Sequence, residues 1–133
     1  MYKRQVKGYK EKGEEIPAWT TVEGAFKHEE THNGQKDFAL PESWHQARGK
    51  ISGSTPYNFV CTADIIGGNS GSPVVNKDLE LVGLIFDGNI QSLSADYIYD
   101  DRQGRATSVH SNVIRDSLRY VYDAEFLADQ LGK

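Results

Sequence analysis

Ser70 sits in the run Ile65-Ile66-Gly67-Gly68-Asn69-Ser70-Gly71-Ser72-Pro73-Val74-Val75, with glycines close on both sides. Apolar residues precede this loop and β-branched residues follow Pro73, which predicts a tight exposed turn feeding a buried strand. A turn of that kind can present a hydroxyl as a nucleophile while backbone N–H groups converge on a developing oxyanion. A hairpin loop with no chemistry fits the same glycines. No Lys-Ser/Thr follows them, so a phosphate-binding P-loop is excluded.

The other residues with chemical potential carry weaker signals. His28 and His32 are four apart and could share one helix face as metal ligands. Lys27 to Gly34 lacks the apolar positions that would hold such a helix on a core, and the segment reads as loop with solvated histidines. Cys61, the single cysteine, follows Phe59 and Val60 and reads as a buried thiol. The run Asp100-Asp101-Arg102-Gln103-Gly104 lacks the ligand order of a calcium-binding loop. No metal or other cofactor is implied.

Composition narrows the field further. The chain has 133 residues, 38% hydrophobic and 26% charged, with a net charge of −4, the balance of a soluble globular domain or a piece of one. No basic block points to nucleic acid or an anionic membrane surface, and no apolar run approaches a membrane span. Met1-Tyr2-Lys3-Arg4-Gln5 leads into no apolar stretch, so no export signal is read.

The elements that must position Ser70 follow from periodicity. Tyr2 to Lys12 carries Tyr2, Val6 and Tyr9 at helical spacing. Trp19 to Val22 predicts a short strand, and Gly24 to Lys50, with His45 in it, a long loop in which Leu40-Pro41-Glu42-Ser43-Trp44 docks Trp44. Tyr57 to Thr62 and Pro73 to Asn76 read as strands around the serine turn, with Lys77-Asp78 closing a hairpin. Glu80 to Phe86 is nearly all apolar and predicts a central strand that Asp87-Gly88-Asn89 ends. Tyr97 to Tyr99 and Ala106 to Val109 predict a second hairpin. From Ser111, Val113, Ile114, Leu118, Val121 and Tyr122 share a helix face, and Asp123 is placed to cap a second helix carrying Phe126, Leu127 and Leu131.

The serine turn with its flanking strands resembles the Gly-Asp-Ser-Gly-Gly-Pro nucleophile turn of chymotrypsin-like serine peptidases. Thr62 through Val74, Glu80 through Asn89 and Val109-His110-Ser111, with Leu40 to Trp44 and Ser54 to Phe59 upstream, resemble the bacterial dipeptidyl-peptidases of the S46 family over essentially the whole chain. The resemblance implies a mainly β fold with flanking helices: the second half of a chymotrypsin-like double β-barrel plus C-terminal helices, a fragment of a much longer parent. Residues 1–17 would end a helical domain, 18–110 would be the C-terminal barrel portion and 111–133 the C-terminal helices. The parent would be an exported, periplasmic or extracellular homodimer that takes dipeptides from peptides with free N-termini.

On that resemblance Ser70 is the nucleophile and the N–H groups of Gly68 and Ser70 form the oxyanion hole. Asn69 replaces the aspartate of trypsin-like enzymes, and a neutral amide needs no newly cut N-terminus as partner. Asp87 corresponds to the residue that helps anchor the substrate's α-ammonium, although Asp87-Gly88 also fits a plain turn. Gly88 matches the position where members preferring acidic side chains carry arginine, so a hydrophobic preference is implied. The triad histidine and aspartate would lie in the missing N-terminal barrel, before the first residue. His28, His32 and His45 do not supply the base, and His110, after the serine, reads as structural. The chain by itself is therefore expected to be inactive. The competing class is a non-catalytic peptide-binding or structural module with a peptidase-like fold.

Overall fold

The computed structural model describes residues 4–98 and 100–131, with backbone alone at 95 and 96. The chain divides into two compact units, Met1–Trp19 with Asn58–Ser111 and Thr20–Tyr57 with Asn112–Lys133. The first carries Ser70.

In that unit β1 (Tyr9–Glu11) and β2 (Glu14–Ile16) form an antiparallel hairpin, with Tyr9 opposite Ile16 and Glu11 opposite Glu14. The two-residue loop has φ of 49° at Lys12 and 90° at Gly13, the left-handed pair that a tight hairpin turn requires. This corrects the helix expected over Tyr2 to Lys12, of which Tyr2 and Lys3 lie outside the described residues. The side chain that overrides the helical spacing is Arg105, 1% exposed. Its guanidinium donates to the carbonyls of Lys7 (2.8 Å), Gly8 (2.7 Å), Asp101 (2.7 Å) and Gly104 (2.7 Å), and it lies over the Tyr9 ring. A buried cation needs such acceptors; all four are backbone carbonyls, and those of Lys7 and Gly8 are available because no helix forms there.

The larger sheet has the order β3-β4-β7-β6-β5, built from β3 (Trp19–Thr21), β4 (Pro56–Cys61), β5 (Pro73–Val75), β6 (Leu81–Gly88) and β7 (Ala106–His110). Among the described residues it is an open, mainly antiparallel array with β3 and β5 at its edges. The central strand is β7, paired with both β4 and β6, and β6 lies one strand in from the edge. The apolar run of β6 was a poor guide because Leu81 and Phe86 are exposed while the middle strand buries Ala106 and Ser108. Cys61, Ile85 and Ala106 form a core cluster against Ala63, Ile65 and Val74, so the thiol is buried as expected.

Ile90–Asp96 is a 3-10 helix and Tyr97 and Ile98 follow in a turn, so no hairpin partner for β7 forms there; Tyr99 lies outside the described residues. The helix Ile90–Asp96 has no heptad or alternating signature, only a local turn begun at Asn89.

In the second unit, α1 (Val22–Thr31) and α2 (Glu42–Ala47) replace most of the loop expected between Gly24 and Lys50. The Thr21 hydroxyl accepts the Gly24 N–H at 3.2 Å as an N-cap, and Val22 and Phe26 bury one face at the i, i+4 spacing. Two buried residues in a polar ten-residue run are a faint pattern. Trp44 and Ala47 do the same for α2, and Trp44 docks as expected, its ring 5.6 Å from that of Tyr57. The C-terminal helices are α3 (Ser111–Tyr120) and α4 (Glu125–Gln130). Asp123 does not cap α4: the cap residue is Ala124, with no side-chain bond, and Asp123 instead takes a φ of 52° in the connecting turn. Among the described residues no helix is long and apolar enough to cross a membrane.

Candidate active site

The connection between β4 and β5 folds on its own side chains. Asn69 Oδ1 accepts the Ile66 N–H at 2.9 Å, and the Asn69 N–H returns to the Ile66 carbonyl at 3.2 Å. Ser72 N–H then donates to the Asn69 carbonyl at 2.9 Å, so two successive turns bracket Ser70. The loop is stitched to β6 by Gly71 N–H to the Ile85 carbonyl (2.7 Å) and Ile85 N–H to the Ser72 carbonyl (3.0 Å). Gly68 and Gly71 have φ of 97° and 85°, values that a side-chain-bearing residue adopts only under strain. With both ends clamped, Ser70 is held exposed at the tip. The amides of Gly68 and Ser70 make no backbone hydrogen bond among the described residues. Such N–H groups are what an oxyanion site needs, and each aligned donor lowers an acyl-transfer barrier by about 3–4 kcal/mol.

Among the described residues the serine hydroxyl has one hydrogen-bond partner. Ser70 Oγ donates to the carbonyl of Phe86 at 3.3 Å. That carbonyl is available because the β6–β7 register shifts between Ile85 and Asp87, which leaves Phe86 as the extra residue of a β-bulge. Asp87, the next residue, is exposed, and its Oδ1 accepts the Gly88 N–H at 2.7 Å. A nucleophile-type hydroxyl and a solvent-facing carboxylate thus lie on either side of one bulged peptide, with Gly88 following. The structure therefore brings the Ser70 hydroxyl to Phe86, the residue before Asp87 and Gly88 on β6, while Gly68 lies two residues before the serine in the same loop. The Phe86 carbonyl, which the hydroxyl meets, could not be foreseen, since a bulge of this type has no side-chain signature.

Asn89 secures that end. Its Oδ1 accepts the Arg105 N–H at 2.8 Å, its amide donates to the Gln103 carbonyl at 2.8 Å, and its own N–H reaches the Arg105 carbonyl at 2.9 Å. The fold locks β6 to β7 directly beyond Gly88.

The histidines are placed elsewhere. His110 stands opposite Gly83 on β7, with its ring 5.3 Å from Trp19 and 5.8 Å from Phe59. Gly83 precedes Phe86 by three residues, about 10 Å along a strand, which keeps the ring away from the Ser70 hydroxyl. Burial holds its pKa below the usual 6.5. The neutral ring is favoured in the fold, so the unfolded chain takes up this proton first as pH drops. Its stabilising effect is full above about pH 6.5 and is lost as pH falls through the lowered folded value. Replacing His110 with Phe should flatten that part of a thermal-midpoint profile recorded from about pH 7.5 to 4.5; parallel profiles for the two proteins would rule the assignment out.

His28 lies on helix α1 and His32 is the residue that caps its C-terminus, where a loop was expected. There His32 stacks on Phe38 with centroids 3.9 Å apart, His28 meets the same ring edge-on at 5.3 Å, and His32 Nδ1 is 2.8 Å from the His28 carbonyl. His45 lies 3.2 Å from Glu29. Among the described residues no group of three or more His, Cys, Asp or Glu side chains is arranged to hold a metal.

Comparison with known proteins gives relatives over most of the chain. Residues 4–133 match the family model described as Peptidase S46. The chain is 37% identical over 136 residues to dipeptidyl-peptidase 7 of Phocaeicola vulgatus, an alignment covering 96% of this chain and 17% of that protein. It is also 37% identical over 102 residues to the Asp/Glu-specific dipeptidyl-peptidase of Porphyromonas endodontalis, over 71% of this chain and 14% of the relative. Among solved structures, Porphyromonas endodontalis DPP11 in complex with the dipeptide Arg-Asp superposes with a TM-score of 0.84 at 26% identity, covering 96% of this chain and 19% of that one. The chain spans less than a fifth of the length of these relatives.

Proposed function

Because the chain belongs to the peptidase S46 family, we propose that it is the C-terminal part of a serine-type dipeptidyl-peptidase that releases dipeptides from free peptide N-termini through an acyl-enzyme at Ser70. The observation that supports this most is the 3.3 Å contact of Ser70 Oγ with the Phe86 carbonyl, which puts the hydroxyl beside the peptide leading to Asp87. On this reading Ser70 attacks the scissile carbonyl, the amides of Gly68 and Ser70 hold the oxyanion, and Asp87 takes the α-ammonium. Each substrate residue spans at most about 3.6 Å, so an anchored amino terminus fixes which peptide bond reaches the serine. Gly88 leaves the subsite for the second residue without charge, which favours hydrophobic side chains there.

A serine hydroxyl needs a base to take its proton and an orienting carboxylate behind that base. His110 is committed to its aromatic contacts, so the base and its partner come from an N-terminal barrel of the longer protein, with which this segment completes a chymotrypsin-like pair. The longer protein is, on the same reading, an exported homodimer. The test is active-site labelling: a fluorophosphonate probe should modify Ser70 in the longer protein and leave the present chain unmodified. Absence of labelling in the longer protein would remove the catalytic reading and leave a non-catalytic module in its place.

A further inference from the structure

The space beside Gly88 is already occupied. A Cβ built on Gly88 would stand 2.2 Å from Ser92 Oγ, inside any real contact distance, and 3.4 Å from Ser92 Cβ. The backbone at Gly88 is outside the left-handed region, so the obstacle to a side chain is this hydroxyl and not the local conformation. The hydroxyl has a reason to stay. Ser92 Oγ donates to the Asn89 carbonyl at 2.7 Å, and Ser92 N–H donates to the same oxygen at 2.9 Å.

The 3-10 helix carrying Ser92 is also held. Gln91 donates to Glu11 of the β1–β2 hairpin, and Gly104 on the other side would place a Cβ only 2.8 Å from the Asp100 carbonyl and 3.6 Å from Ser92 Cα. Asn89, at the head of the helix, is bound three times to Gln103 and Arg105. Retreat of the helix would break these contacts together, whereas removal of one oxygen atom at position 92 would leave a gap of 3.4 Å, an ordinary van der Waals distance.

We propose that Ser92 is a specificity-determining residue: its hydroxyl keeps position 88 free of a side chain, and the residues at 88 and 92 set the second-residue preference as a pair. The specificity half of this rests on the function proposed above, while the steric half does not. An arginine, whose guanidinium pairs with a carboxylate in bidentate fashion, is the substitution at 88 that would turn the subsite toward acidic side chains. While the Ser92 hydroxyl stays on the Asn89 carbonyl its Cβ has no room, and admitting it means turning that hydroxyl away from its 2.7 Å bond.

Two arms test the pair. In the present chain, Gly88→Ala should lower the thermal midpoint by about 5 °C, as an overpacked contact does in a domain of this size. Ser92→Ala should have a smaller effect, and the double variant should match Ser92→Ala alone. Equal stability of Gly88→Ala and the parent chain, or simple addition of the two effects, would overturn the steric pairing. In the longer protein, the ratio of kcat/KM for substrates with acidic and hydrophobic second residues should move at least about tenfold further for Gly88→Arg with Ser92→Ala than for Gly88→Arg alone. An equal shift without the Ser92 change would overturn the specificity role. If the unmodified longer protein releases no dipeptide, the proposed function fails and the specificity role with it; the unfolding cycle still decides the steric pair.

Discussion

Dipeptide release by the longer protein should fall about a millionfold in kcat on changing Ser70 to alanine, the scale seen when an acyl-transfer nucleophile is removed. Folding should be unaffected. Ser70 is exposed, its hydroxyl makes one hydrogen bond among the described residues, 3.3 Å to the Phe86 carbonyl, and the turn around it is fixed by Asn69, Gly71 and Ser72 instead. The loss therefore reports on chemistry, provided that the thermal midpoint of the variant matches the parent. The measurement is steady-state hydrolysis of a chromogenic dipeptide substrate, with a fluorophosphonate titration of active sites. Retention of more than about a hundredth of the parent rate would place the nucleophile elsewhere.

Asp87→Asn should reduce kcat/KM about 100-fold on substrates with a free amino terminus, the usual effect of removing one member of a partly desolvated charge pair. Asparagine preserves the size of the side chain and can still accept the Gly88 N–H that Asp87 Oδ1 binds at 2.7 Å, so the variant changes the charge with the local turn intact. The comparison that isolates the role is an N-acetylated substrate. Parent and variant should treat it alike and poorly, because it offers no ammonium. A uniform loss on both substrates would mean that Asp87 serves the strand end and not the amino terminus.

The candidate site was legible in the sequence where its chemistry is local. Ser70 is bracketed by glycines whose left-handed backbone only glycine adopts freely, and β4, β5 and β6 are short runs of apolar and β-branched residues bounded by turn formers. What could not be read were elements fixed at a distance. Tyr2 to Lys12 looked helical because Tyr2, Val6 and Tyr9 fell at helical spacing, whereas Tyr9 to Ile16 is a hairpin, led into by Lys7 and Gly8, whose carbonyls are taken up by Arg105, almost a hundred positions away. The pair Lys12-Gly13 was the local clue to a tight turn. Helix α1 was missed because just two of its ten residues, Val22 and Phe26, are buried, and its start depends on a Thr21 cap in a segment dominated by charge. Ser92 carried no signal at all: its importance lies in facing a glycine four positions earlier.

The bulge at Phe86 also sets an arithmetic on this part of the chain. Side chains along a strand alternate between two faces, so one surplus residue exchanges the faces for everything beyond it. Asp87 and Gly88 owe the side on which they stand to that odd count. Substitutions at Phe86 should be readily absorbed, since its carbonyl meets Ser70, but insertion or deletion of a single residue between Leu81 and Asp87 would turn the carboxylate to the opposite surface and displace the Ile85 bonds that clamp the serine turn. The segment is tolerant in composition and intolerant in length, and the spacing of sixteen between Ser70 and Phe86 is the quantity that a family alignment should hold constant.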